Sequence, residues 1–181
     1  MNAHRLIAAC ALALALTACA SAPTPAPVAE DLAPFPYSAE AIRDASPEGR
    51  VYVFRLAQGE QVVFRTVRFA EVDAEGAAMV ATLTDLTGAA AAPPTRERAT
   101  WTELQAHASY PRASTTVTDA TVTVPAGTFA CRRYTVESAD GDQLVVDFAV
   151  DLPGAPVSLV NTRGGVEVLR MTLERHERPG R

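Results

Sequence analysis

At 181 residues with a formal charge of −5, the chain has the size of one domain and lacks the basic excess that a nucleic-acid partner requires. All 16 basic side chains are arginine, and loss of a leader carrying Arg5 takes the charge to −6. Of three cysteines only Cys131 lies beyond the first twenty residues, which excludes an intramolecular disulfide framework.

Met1–Ala18 has the parts of an export signal: His4 and Arg5, the apolar run Leu6–Leu16, then the small residues Thr17 and Ala18. The run is too short for a permanent transmembrane helix. Leu16-Thr17-Ala18-Cys19 matches the bacterial lipobox. That match implies a diacylglycerol on the Cys19 sulfur, cleavage after Ala18, and an anchor that several acyl chains make almost irreversible. The competing reading is an ordinary secretory leader with a chance cysteine. Ala20 follows, not the aspartate linked to inner-membrane retention, which implies the outer membrane with the domain facing the periplasm. Ser21–Pro36 carries five prolines among alanines without periodicity. Such a segment reads as a disordered tether, extended at about 3 Å per residue. The expected division is a signal peptide over 1–18, the lipidated Cys19 and tether over 19–37, one β-rich domain over 38–176, and a polar tail over 177–181.

Ser38–Asp44 predicts a short helix with Ser38 as N-cap and Ile42 inward. Arg50–Leu56 predicts a strand with Tyr52, Phe54 and Leu56 on one face. In Gln61–Val72 the apolar positions change phase, Val62 and Phe64 against Val67 and Phe69, which predicts a bulge near Arg65. After the Asp73–Gly76 turn, Ala77–Leu86 completes a meander, and Thr87–Pro94 reads as a flexible connection. Thr100-Trp101-Thr102-Glu103 fits a capping box, opening a helix with Trp101, Leu104 and Ala108 on one stripe that Pro111 ends after Tyr110. Trp101 reads either as the plug of a packed helix or as the mouth of a lidded cavity.

Thr115–Val124, Thr128–Glu137, Gln143–Val150, Val157–Asn161 and Val166–Glu174 read as further strands, punctuated by Pro125-Ala126-Gly127, Asp140-Gly141, Pro153–Pro156 and Gly164-Gly165. In the third, Leu144, Val146, Phe148 and Val150 point inward, with Val145, Asp147 and Ala149 outward; in the last, Leu169, Met171 and Leu173 share a face. The sum is a mainly β chain: a curled antiparallel sheet of about eight strands, a half-open barrel, with one short helix packed on its concave face.

The run Val124-Pro125-Ala126-Gly127-Thr128-Phe129-x-Cys131, with the corner Leu152-Pro153-Gly154-x-Pro156-Val157, resembles a group of uncharacterised bacterial envelope proteins sharing a VPAGTF-x-C turn. These are similar to the lipoprotein-localisation, LolA/LolB-like, half-barrels. The resemblance spans roughly Arg50 to His176 and implies acyl chains held on the concave face. The present chain differs in its scarcity of large aromatic residues.

No metal or cofactor is implied, since His107 and His176 have no ligand spacing around them. Asp140-Gly141-Asp142 is a hairpin turn without the alternating oxygen ligands of a calcium loop. No nucleophile elbow or phosphate loop occurs, and Asp147 and Asp151, four apart on a strand, stand roughly 13 Å apart. Cys131 reads as a buried core residue, with an intermolecular disulfide or a reactive thiol as alternatives. Arg132 and Arg133 point to opposite sides of their strand, as a surface pair or an anion contact. The expectation is a non-enzymatic, lipid-anchored envelope protein that binds a hydrophobic ligand through Trp101, Leu144, Val146, Phe148, Leu169, Met171 and Leu173. The alternative is an interaction module docking onto an envelope protein assembly through the Thr115–Val124 edge.

Overall fold

The computed structural model describes residues 31–179. The leader, Cys19 and most of the tether lie outside the described residues. Nine strands form one antiparallel sheet: β1 (Val51–Gln58), β2 (Gln61–Ala70), β3 (Gly76–Thr84), β4 (Ala90–Thr100), β5 (Thr115–Val124), β6 (Gly127–Glu137), β7 (Gln143–Ala149), β8 (Ser158–Arg163) and β9 (Val166–Glu177). Their spatial order is β4-β3-β2-β1-β9-β8-β7-β6-β5. Two meanders are therefore stitched together by β1 and β9, which pair from Val51↔Glu177 to Ala57↔Arg170.

The sheet curls but does not close. At the tip of the β5–β6 hairpin, the Ala126 N–H donates to the Leu173 carbonyl in β9 at 3.2 Å. Edges remain at β4 and β5, so the chain has to cross between them. It does so through α2 (Trp101–Ala106) and a 3-10 turn (Arg112–Ser114). Beside α2 packs α1 (Ala39–Ala45). The expected half-open barrel is present, and its open side is covered by two short helices.

Both helices start where their local chemistry dictates. The Ser38 hydroxyl accepts the Ala41 N–H, and Ile42 is buried. Thr100 and Glu103 form a reciprocal capping box at α2. Glu103 is held below the usual carboxylate range by the Thr100 backbone and hydroxyl donors. The helix stops at Ala106 rather than Tyr110.

Three local expectations are corrected. Thr87–Pro94 is not a loose connection, since β4 begins at Ala90. It is an edge strand, so Pro93 and Pro94 forfeit ladder bonds only on one side, and the β3–β4 register shifts around Leu83 to pass them. No bulge interrupts β2, whose register to β1 and β3 is continuous. Its phase change reflects two half-buried faces: Val67 lies opposite Tyr52 on the concave side, and Val62 and Phe64 lie opposite Ala57 and Arg55 on the other. The register shift falls between Val53 and Phe54 against β9 instead. Finally, β7 ends at Ala149, which leaves Val150 57% exposed in the following turn rather than inward.

Residues 31–37, assigned from sequence to a disordered tether, cross the concave side as a strap. Leu32 bridges Pro111, and the Ala33 N–H donates to the Tyr110 carbonyl at 2.8 Å. Ala33 and Tyr37 are buried.

Candidate functional site

Between the concave face and its cover lies a cavity of about 340 Å³. Its floor comes from both meanders: Tyr52, Phe54, Val67, Phe69 and Met79 from β1–β3, and Val146, Phe148, Leu159 and Met171 from β7–β9. Its roof comes from Pro36, Tyr37, Ile42, Leu104, Ala108 and Tyr110. Pairing explains how residues far apart in sequence converge, since Leu56↔Met171, Met171↔Leu159 and Leu159↔Val146 run as one row across β1, β9, β8 and β7. Strand alternation then keeps that row on one face.

Aromatic rings brace the wall. Tyr134 meets Phe148 edge-on at 5.5 Å between centroids, Tyr37 meets Phe148 at 5.9 Å, and Tyr110 lies 5.6 Å from Tyr134. Their phenol groups reach backbone acceptors: Tyr37 donates to the Ala149 carbonyl at 2.6 Å, and Tyr134 to the Pro34 carbonyl at 2.7 Å. Burial raises the pKa of both phenols, so Tyr37 and Tyr134 serve as neutral donors, and it pushes that of Tyr110 up to about 12. Besides the tyrosines, the polar side chains of the lining are Arg65, Glu97, Gln105 and His107, of which Arg65, Glu97 and His107 are exposed. The arrangement can hold an apolar group and orient a polar one; it contains no nucleophile with a base.

Of the residues expected to line a ligand site, Val146, Phe148 and Met171 border the cavity. Leu144 and Leu169 lie outside the lining, half-buried on either side of Asn161 in the next inward row. Leu173 is 1% exposed, paired with Phe54 across the β1–β9 ladder, and its N–H donates to the Val157 carbonyl. Trp101 is also away from the cavity: it is buried, and its indole N–H donates to the Asp73 carbonyl at 3.1 Å. It fastens α2 to the β2–β3 turn, neither plugging the concave face nor standing at the mouth of the cavity. The first meander's share of the floor was visible as an apolar alternation but carried no sign of a cavity. The strap's share was hidden in a segment without periodicity.

Asp147 was expected in solvent. Instead it is 2% exposed and takes two bonds from the Arg133 guanidinium, at 2.7 and 3.1 Å. Cys131 is a buried free thiol whose Sγ–H faces the Phe129 carbonyl at 3.6 Å. Burial, with help from Asp147, pushes it up to about 11, which leaves little thiolate at neutral pH. Among the described residues no cluster of three metal-ligating side chains occurs, and no helix is long and apolar enough to cross a membrane.

No protein-family model and no curated protein matches the sequence. Solved structures do share the fold. MucB in complex with MucA(peri) aligns at a TM-score of 0.51 and 11% identity, covering 76% of this chain and 53% of that one. The MucA/MucB complex of Pseudomonas aeruginosa aligns at 0.51 and 8% identity, covering 76% and 54%. The chain thus spans about half the length of the structures it resembles, and at this identity the likeness is one of fold.

Proposed function

We propose that the chain is a non-enzymatic, lipid-anchored protein of the bacterial envelope, held at the outer membrane and facing the periplasm, that binds an acyl chain or similar apolar group beneath its helices. The observation that carries this reading is the cavity of about 340 Å³ between sheet and cover. It falls within the roughly 300–1,000 Å³ of small-molecule sites. Each methylene buried there contributes about 0.8 kcal/mol. The address rests on the lipobox at Leu16–Cys19. Leu159→Trp, at a half-buried position on the floor, fills the space without burying a charge. It should abolish the lipid-sized mass that native mass spectrometry detects on the wild-type protein, while the melting transition stays cooperative. A wild-type protein that carries no added mass, from its own periplasm or after exposure to fatty acid, sinks the proposal.

A second reading is an interaction module. It is favoured by the outer edge of β5, unpaired among the described residues, and by the fold neighbours, which were both solved as complexes with MucA. An apo mass together with a protein crosslinked through β5 is its expected signature.

A further inference from the structure

The strap has the composition of a peptide ligand. Leu32-Ala33-Pro34-Phe35-Pro36-Tyr37 combines two prolines with two aromatic residues, and proline restrains both itself and the residue before it to extended backbone. It lies across Tyr110, Tyr134 and Phe148, an aromatic surface of the kind that reads extended proline-rich peptides. The recognition is polar as well. Tyr134 donates to the Pro34 carbonyl, the Ala33 N–H to the Tyr110 carbonyl, and the Gln105 amide to the Tyr37 carbonyl at 3.1 Å. Tyr37 is the buried end of the segment, its hydroxyl donating to the Ala149 carbonyl, whereas Leu32–Pro36 belongs to no strand of the sheet and makes a single isolated β-bridge, Leu32↔Pro111. Pro34 itself is exposed.

Position makes this segment a control point. Pro36 and Tyr37 line the cavity, so lifting the strap opens it along one side. Ser38, capping α1, offers the pivot, because α1 stays fastened to α2. In the other direction the strap runs toward Cys19, about twelve residues away and able to span at most roughly 40 Å. We propose that Leu32–Tyr37 is a displaceable strap, a proline-rich ligand bound in cis by the Tyr110–Tyr134–Phe148 groove, whose release admits ligand to the cavity. This rests on the cavity being a binding site, as proposed above.

The test locks the strap in the processed chain carrying Cys19→Ser. Leu32→Cys with Pro111→Cys places thiols at the bridged pair, and uptake of cis-parinaric acid is followed by its fluorescence. The oxidised protein should take up the probe about tenfold more slowly than the same protein after reduction, because only the strap-open fraction is competent. Tyr134→Phe, which removes one hydroxyl, should speed uptake without a lock. Equal rates in the oxidised and reduced forms overturn the proposal. If no form takes up probe, the acyl-binding reading falls, and amide exchange decides the strap separately. An Ala33 N–H that exchanges well ahead of the β1 amides keeps the strap displaceable; one as protected as β1 overturns it.

Discussion

Arg50 is a buried cation that pairs with no carboxylate among the described residues. It is 3% exposed, its guanidinium lies 4.7 Å above the Tyr52 ring, and its Nη2 donates to His176 Nδ1 at 3.2 Å. Arginine has no lone pair to offer, so Nδ1 must accept and the imidazole must be neutral. Burial, then the Arg50 charge, lowers the pKa of His176, with Asp151 opposing. The unfolded chain therefore binds this proton more readily than the folded one. Stability from the site is present above the ordinary histidine range and is lost as pH falls through it. Urea midpoints should drop between pH 7.5 and 5.5, and His176→Gln should flatten that drop; an unchanged slope in the variant removes the contact as its cause. Nothing in the local sequence announces this pair, because its members stand 126 positions apart.

Among elements, the features legible in sequence are those decided within four or five residues. The α1 cap, the α2 capping box, the Asp73–Gly76 turn and the β5, β6 and β7 strands fall close to where composition places them. What escaped depends on neighbours: β4 is a strand only because β3 offers it an edge, and β2 is straight because it has two half-buried faces. Gly76 shows such a dependence within a turn that reads as ordinary. A Cβ there would stand 2.2 Å from the Ala99 carbonyl oxygen and 2.8 Å from Thr100 Cα, both backbone atoms that cannot step aside. Gly76→Ala should cost about 1–3 kcal/mol by forcing β3 and β4 apart at the start of α2. Because Trp101 is fastened at the same corner, its fluorescence should shift in parallel; a loss below 0.5 kcal/mol, about the scale of an ordinary surface change, denies the clash.

At the scale of the molecule, an open nine-stranded sheet has to manage two edges. On β4 the guards are Pro93, Pro94 and the charged run Arg96-Glu97-Arg98, all exposed. Replacing them by Pro93→Val, Pro94→Val and Arg96→Thr should produce concentration-dependent self-association in sedimentation experiments, beyond any shown by the parent. An indistinguishable profile would mean that the curl alone protects the edge. The half-barrel was readable from strand count and turns. The cavity was readable only in the inward rows of β7 and β9, because its shape depends on three things unseen in any single stretch: the β1–β9 seam, the crossing from β4 to β5, and the strap.

The β1–β9 seam also bears on how the protein comes into being. The two meanders can each form hairpins early, but the pairing that unites them at the centre of the sheet waits for the last strand to emerge. Closing so long a loop is slow, and until it closes each half exposes a bare apolar face and an unpaired inner edge. During synthesis the chain therefore has no complete fold to adopt. For a chain exported as proposed above, that unfinished state would be the one a secretion channel can thread.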